Sequence, residues 1–163
     1  MKKSTIFFAI LCATILNDSC TQKFEPTPLT FTQLLSGTES KTWVLTSAKI
    51  IDLKIESPEI KGSDLLDPCE LDDQFVFYAN EEKKLEYKNG GSKCTNGEPE
   101  ILATDSWELL QGSAALDMGI PRLFGGAKLP FTVKSLTSST MTLEYYFGDI
   151  DVSYRFTFVS NGK

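Results

Sequence analysis

The chain has 163 residues, 41% of them hydrophobic, a size that suits one domain with a hydrophobic core. Its formal net charge is −6 at pH 7, and an acidic chain without a run of basic residues is a poor candidate for nucleic-acid binding. Histidine is absent, which excludes histidine-based triads and the common zinc sites, so we expect a non-enzymatic protein without a metal or cofactor.

Residues 1–19 have the pattern of a bacterial signal peptide. A positive start at Lys2-Lys3 precedes the apolar run Thr5–Leu16, which is too short to span a bilayer. A small residue then precedes Cys20, as in a lipobox, where a signal peptidase cuts and the cysteine is acylated. The alternative is an ordinary secretory signal with Cys20 incidental. Residues 20–28 follow as a polar tether, and the domain is predicted at 29–163.

Acylation of Cys20 would place the protein in the cell envelope, with the membrane as the partner of its N-terminus. Each buried methylene group of an acyl chain contributes about 0.8 kcal/mol. We expect a lipid-anchored protein of the outer membrane that faces the periplasm or the cell surface. Since Cys12 leaves with the signal peptide, Cys69 and Cys94 remain as one pair in an oxidising compartment.

The domain begins with a short helix. Thr30 and Gln33 have the spacing of a capping box, and Gly37 is a suitable stop, so a helix is predicted at 30–36. Its apolar side chains are expected to pack against the domain, and they are Phe31, Leu34 and Leu35.

A first strand and a long loop follow the helix. The strand begins at Lys41–Leu45 and is expected to bend near Ser47-Ala48. Glu56–Pro68 is rich in turn signals, and loops of this length often form lids. Acidic residues crowd this loop and its end, and we expect them to be solvated rather than to bind calcium; they are Asp64, Asp67, Glu70, Asp72 and Asp73.

The stretch 69–94 predicts a β-hairpin closed by a disulfide between its terminal cysteines. A three-residue loop at 80–82 sets Phe75–Phe77 opposite Leu85–Tyr87 and makes one face apolar. In this register the cysteines miss each other by one residue, which a bulge at Gly90-Gly91 would correct. A disulfide closing a loop of this length contributes about 3 kcal/mol.

A second hairpin is predicted after Pro99. A two-residue loop at Gly112-Ser113 pairs Leu109 with Leu116, and glycine in first place favours a type II′ turn. The segment Ile120–Lys128 is rich in glycine and proline and is expected to be irregular.

A third hairpin is predicted near the C-terminus. A two-residue loop at Gly148-Asp149 pairs Tyr145 with Val152 and places Arg155 opposite Thr142. Every apolar residue then meets an apolar partner on one face.

These elements amount to a short N-terminal helix and eight antiparallel strands joined mostly by tight turns. Each strand has one apolar face that must be buried. The predicted fold is therefore all-β, an eight-stranded antiparallel up-and-down barrel, whose interior is filled by side chains or holds one small ligand. A two-layer sandwich is the alternative.

The chain resembles the lipocalin-like lipoproteins of Gram-negative bacteria over most of its mature length. The matching positions are turn and core positions, namely Leu35-Ser36-Gly37, Lys41–Leu45, Asp67-Pro68-Cys69, Asp72-Asp73, Cys94, Trp107-Glu108-Leu109 and Leu136–Leu143. True lipocalins carry Gly-x-Trp on the first strand, whereas here Gly37 lies six residues before Trp43. The resemblance implies a cup-shaped barrel and an apolar ligand, and it brings no catalytic residues.

The inward-facing rings are the candidate lining of a ligand cavity, and they are Phe75, Phe77, Tyr87, Trp107, Phe131, Tyr145, Tyr154 and Phe156. The same rings could equally fill a small barrel. Two functions follow: a non-enzymatic, lipid-anchored protein that binds a small apolar ligand in the barrel, or an accessory envelope lipoprotein with a packed barrel that binds a protein or glycan through its loops. In both cases we expect a monomer.

Overall fold

The structure is a computed structural model that describes residues 28–160. The predicted signal peptide, Cys12, Cys20 and the tether as far as residue 27 lie outside these residues. Within them the chain forms one α-helix and eleven strands. The elements are α1 Phe31–Ser36, β1 Ser40–Asp52, β2 Ile55–Glu56, β3 Ile60–Lys61, β4 Gln74–Tyr78, β5 Lys84–Lys88, β6 Ile101–Ser106, β7 Glu108–Leu110, β8 Ala115–Gly119, β9 Lys128–Leu136, β10 Thr140–Phe147 and β11 Val152–Val159.

The strands form a nearly closed antiparallel barrel, which confirms the predicted fold. The order around the wall is β6-β5-β4-β1-β11-β10-β9-β8-β7, and the short strands β2 and β3 also pair with β1. Because consecutive strands are mostly neighbours, the topology is up-and-down.

The barrel is not fully closed, because its two end strands, β6 and β7, do not pair with each other. These two strands are consecutive in the sequence. They are separated only by Trp107, so they are two halves of one bent strand. The first half pairs with β5 and the second with β8. The backbone N–H of Trp107 donates to the carbonyl of Lys83 at 2.8 Å, and its indole N–H donates to the carbonyl of Tyr78 at 3.1 Å. The wall has nine strands rather than the predicted eight, and counting the two halves as one strand reduces the nine to eight. The sequence pattern indicates only the second half.

The helix has the predicted capping box, with Thr30 and Gln33 bonded reciprocally and Gly37 at its C-terminus with a φ of 67°. Leu35 is fully buried and its carbonyl accepts the indole N–H of Trp43 at 2.8 Å. The prediction for Phe31 was wrong, because the first turn is exposed and this ring is 47% accessible.

The long segment after β1 is held against the barrel. The register of β1 shifts between Leu45 and Ser47, which confirms the predicted bend, and this bulge buries Ser47 and Ala48 together. The expected lid is not free: β3 pairs with the bulged part of β1, and the Ser47 hydroxyl donates to Glu59 at 2.6 Å.

The central hairpin has the predicted register, with Phe77 opposite Leu85 and Phe75 opposite Tyr87. The predicted Cys69–Cys94 disulfide is present, with its Cα atoms 5.1 Å apart.

The bulge proposed to align these cysteines is not what joins them. Strand pairing ends at Gln74 and Lys88, so both cysteines lie in loops. A Cβ on Gly90 would overlap the backbone and carboxyl group of Asp72. Gly90 therefore allows two loops to approach each other closely and does not form the predicted bulge.

The second hairpin has the predicted pairing of Leu109 with Leu116. Its turn differs from the prediction, because Gln111, Gly112 and Ser113 all have positive φ and strand pairing ends at Leu110 and Ala115. Positive φ at Gly112 and Ser113, the two central residues, indicates a type I′ turn rather than type II′.

The third hairpin has a different register from the one predicted. Tyr145 lies opposite Tyr154 rather than Val152, and Arg155 lies opposite Glu144 rather than Thr142. The loop is therefore four residues long. A slip of two residues keeps every side chain on its face, so the apolar pattern could not distinguish the two registers.

Candidate functional site

The eight predicted lining residues all lie within the barrel wall, in two clusters. Around β4 and β5, the ring centroids of Phe75 and Tyr87 are 5.0 Å apart, and those of Phe77 and Trp107 are 6.1 Å apart. Across the barrel, the rings of Phe131, Tyr145, Tyr154 and Phe156 form the second cluster. Six of the eight are buried, whereas Tyr145 and Tyr154 are half-buried.

The rings fill the barrel interior. A partly open pocket of about 10 Å³ remains beside Phe75, Tyr87 and Ile120, which is about the volume needed for one water. In this conformation no space for a small organic ligand lies between these three residues.

Five rings at one end of the barrel surround a sixth ring, that of Phe124. We call the five the aromatic cage, and they are Phe131, Tyr145, Phe147, Tyr154 and Phe156. The centroid of Phe124 lies 5.4 Å from that of Phe147, 5.8 Å from Phe156 and 6.2–6.5 Å from the other three. Such tilted and edge-to-face pairs each contribute about 0.5–1.5 kcal/mol beyond the buried area.

Phe124 belongs to the 120–127 loop, which joins β8 to β9. The loop is irregular, as predicted, and three consecutive residues have positive φ: Phe124 at 52°, Gly125 at 62° and Gly126 at 75°. Glycine adopts this region freely, whereas a bulky residue there costs about 1–2 kcal/mol. The ring contacts in the cage therefore offset part of the cost of this backbone conformation.

The opening in the barrel wall is a slit between β6 and the end of β8, with a volume of about 310 Å³. Apolar side chains of β4 and β5 lie at its base. One rim is β6 and the other is the 120–127 loop. The lining residues are Phe75, Leu85, Tyr87, Ala103, Thr104, Asp105, Gly119, Pro121, Gly125 and Gly126.

The loop is close against the rim of the slit at Gly119. A Cβ at this position would lie 2.9 Å from the carbonyl oxygen of Gly126 and 3.6 Å from the carboxylate of Asp105. Beyond this point the Lys128 ammonium donates to the Ser106 hydroxyl at 3.0 Å. The 120–127 loop thus covers one side of the slit with its glycines while its phenylalanine fills the cage.

Ion pairs tie this loop to the disulfide. The guanidinium of Arg122 lies 2.9 Å from the carboxylate of Glu70 and 3.6 Å from that of Glu98. These carboxylates follow Cys69 and Cys94 closely in the chain. We call Arg122, Glu70, Glu98 and the disulfide the clasp.

A buried polar pair lies beneath the clasp. The hydroxyl of Tyr87 donates to the carboxylate of Asp73, and both side chains are under 5% exposed. Burial raises the pKa of Asp73, and the hydrogen bond from Tyr87 opposes part of this rise. Burial and the same hydrogen bond raise the pKa of Tyr87.

The carboxylates expected to be solvated are largely structural. Asp72 accepts backbone N–H groups of Gly91 and Ser92 at 2.7 and 3.0 Å. Asp73 is buried with Tyr87, and Glu70 pairs with Arg122. The prediction was wrong for these three residues, because each holds one loop against another. In residues 28–160 no group of three or more acidic or cysteine side chains is arranged to hold a metal ion.

A separate apolar group is exposed at the far end of β1 from the helix. Leu53 and Ile55 are 70% and 73% accessible, and Ile150 lies close by in the β10–β11 loop. Leu53 has a φ of 48°, so this turn presents a bulky apolar residue to solvent in a strained conformation.

The sequence places Phe124 in an irregular segment and indicates no role for it. The available signal was a lone phenylalanine directly before Gly125-Gly126, in a domain where most other rings lie on predicted strands.

No family model and no curated protein matches this chain. The resemblance to lipocalin-like lipoproteins therefore stays a prediction. Between residues 28 and 160, no helix has the length and apolar composition needed to cross a bilayer.

Proposed function

We propose that this chain is a lipid-anchored, non-enzymatic, lipocalin-like protein of the bacterial cell envelope that binds a small apolar ligand at the slit. The observation that carries the proposal is the slit itself. It combines an apolar base of Phe75, Leu85 and Tyr87 with an opening of about 310 Å³, and ligand sites are typically apolar clefts of about 300–1,000 Å³.

The proposed lipid anchor and cell-envelope location are supported by the sequence. The short apolar run, the small residue before Cys20 and the polar tether are typical of acylated lipoproteins, and the Cys69–Cys94 disulfide suits an oxidising compartment. Intact-mass analysis of protein extracted from host membranes tests this part. The expected mass is that of a chain beginning at Cys20 with attached acyl chains, and an unacylated mass would contradict it.

Binding is favoured over catalysis by the polar groups near the slit. Asp73 is paired with Tyr87, and Arg122 is paired with Glu70 and Glu98. These groups are thus engaged in holding loops together. The one carboxylate in the lining of the slit, that of Asp105, accepts the backbone N–H of Ser106 at 2.7 Å.

Titration of the membrane-extracted protein with the uncharged fluorophore phenylnaphthylamine tests ligand binding. We expect saturable binding with one site per chain. Ala103→Leu places a larger side chain in the slit and should weaken binding by about tenfold, a change of about 1.4 kcal/mol. Ala114→Leu makes the same substitution at an exposed turn position and should leave the affinity unchanged. Equal affinities for the two variants would contradict the assignment of the slit.

The exposed group at Leu53 and Ile55 favours a second candidate, an accessory protein that docks on a partner protein. One comparison separates the two. If the wild type binds neither phenylnaphthylamine nor any co-purifying compound by native mass spectrometry, docking becomes the better interpretation. If Leu53→Asp leaves probe binding intact while Ala103→Leu removes it, ligand binding is the better one.

A further inference from the structure

We infer that the aromatic cage is the inner half of the ligand site and that Phe124 is a plug, displaced when a flat, uncharged aromatic ligand binds. This inference rests on the proposed function and names the ligand class of the same site. It starts from two observations on Phe124. Its ring is held by five other rings, and it projects from a loop whose backbone is strained.

The position of Phe124 differs from that of an ordinary core residue. Its neighbours in the core, such as Phe131 and Phe156, project from strands and are fixed by the sheet. Phe124 projects from an irregular loop, is only partly buried, and has the φ of a left-handed residue. Its ring is therefore the one member of this group that can leave without breaking strand pairing.

The two glycines after Phe124 supply the means of movement. Gly125 has no neighbouring atom within 4 Å of where a Cβ would lie, and the nearest atom for Gly126 is 3.6 Å away. Glycine adopts a wide range of φ, so the backbone can change direction at both positions. Since the same glycines line the slit, a loop that swings outward joins the slit and the vacated cage into one continuous pocket.

The cage composition selects the ligand. Its five walls are aromatic, and the only polar atoms among their side chains are the hydroxyls of Tyr145 and Tyr154, which are half-buried. A planar uncharged ring can reproduce the tilted and edge-to-face contacts that Phe124 makes. A charged group would lose its hydration without gaining a partner there. A hydroxyl or carbonyl on the ligand could bond the tyrosine hydroxyls at the rim.

A displaced plug lowers the apparent affinity of the wild type, because only the fraction of molecules with the loop open can bind. Any change that disfavours the closed loop should therefore strengthen binding. This expectation is opposite to that for an ordinary destabilising substitution and can be tested with matched glycine variants.

Gly125→Ala and Gly112→Ala are the matched pair. Both glycines have similar positive φ, 62° and 65°, and neither has an atom within 4 Å of the added Cβ. The two variants therefore carry the same backbone strain, one in the 120–127 loop and one in the β7–β8 turn. In phenylnaphthylamine titrations, Gly125→Ala should bind about fivefold more tightly than the wild type, while Gly112→Ala should bind with unchanged affinity.

Phe124→Ala provides a second measurement if Gly125→Ala folds poorly. Removing the plug should also tighten binding, with one site per chain, and Phe147→Ala should weaken it by removing a cage wall. If the wild type and all variants fail to bind, the inference and the proposed function fall together. If the wild type binds but Gly125→Ala matches Gly112→Ala, the plug is refuted while ligand binding at the slit stands.

Discussion

Arg122 lies 2.9 Å from Glu70 across the gap between the 120–127 loop and the loop that carries Cys69. The pair joins two segments that are distant in sequence. One of these segments is fixed by a covalent bond and the other carries the plug. The clasp therefore links the covalently fixed side of the barrel mouth to its movable side.

Arg122→Gln should release the loop at little expense to overall stability. Arg122 is about two-fifths exposed, and exposed ion pairs contribute about 1 kcal/mol or less. We expect a small loss in urea-unfolding free energy together with faster chymotryptic cleavage after Phe124. Arg155→Gln is the control, because Arg155 also pairs with two carboxylates, Glu144 and Glu56, but lies on the opposite face of β11 from the cage residues on either side of it. Equal cleavage rates after Phe124 in both variants would contradict the clasp.

The disulfide should contribute measurably to stability. It closes a loop with a sequence separation of 25 residues, for which the chain-entropy model gives about 3 kcal/mol. The double variant Cys69→Ala/Cys94→Ala should lose about that amount in urea unfolding. A reducing agent should bring the wild type to the same midpoint and leave the double variant unchanged. A reduced wild type as stable as the oxidised protein would show that the loops are held mainly by other contacts.

The sequence predicts most of the barrel because strand alternation and turn chemistry agree with each other. The Phe75–Phe77 strand has a single register that gives it an apolar face, and the disulfide is consistent with it. The β10–β11 register was missed because a two-residue slip preserves the faces. What distinguishes the registers is polar: the true one brings the Arg155 guanidinium within 2.8 Å of Glu144.

The candidate site is much less predictable, because it depends on breaks in the pattern. The slit exists because the strand bends at Trp107. As a result, β6 pairs with β5 on one side and with no strand of the described residues on the other. The plug comes from a loop with no periodicity, and only the folded barrel brings Phe124 to Phe156. Neither feature follows from alternation, which specifies faces of strands but not where pairing stops.

Gly90→Ala should be one of the more harmful single substitutions in the loops. Its Cβ would overlap the backbone of Asp72, which cannot move without disturbing the adjoining Asp73–Tyr87 pair. We expect a loss of about 3 kcal/mol in urea unfolding, the upper part of the range for overpacking. Gly91→Ala is the neighbouring control, because its Cβ would meet only the Asp72 carboxylate, at 3.3 Å. Similar losses in both variants would indicate that glycine flexibility, rather than close approach, matters here.

The Tyr78–Glu86 pair should make stability depend on pH in the alkaline range. The Tyr78 hydroxyl donates to Glu86 at 2.6 Å, and this hydrogen bond, with burial, raises the pKa of Tyr78 to about 12 from its ordinary value of 10.0. Between these values the unfolded chain has lost the proton that the folded chain keeps. The contribution is therefore complete below about pH 10 and is lost as the pH rises through about 12. Tyr78→Phe should show a shallower fall in urea-unfolding free energy across this window, and Glu86→Gln should show the same. An unchanged alkaline slope in Tyr78→Phe would mean that the hydroxyl is not held by Glu86 in solution.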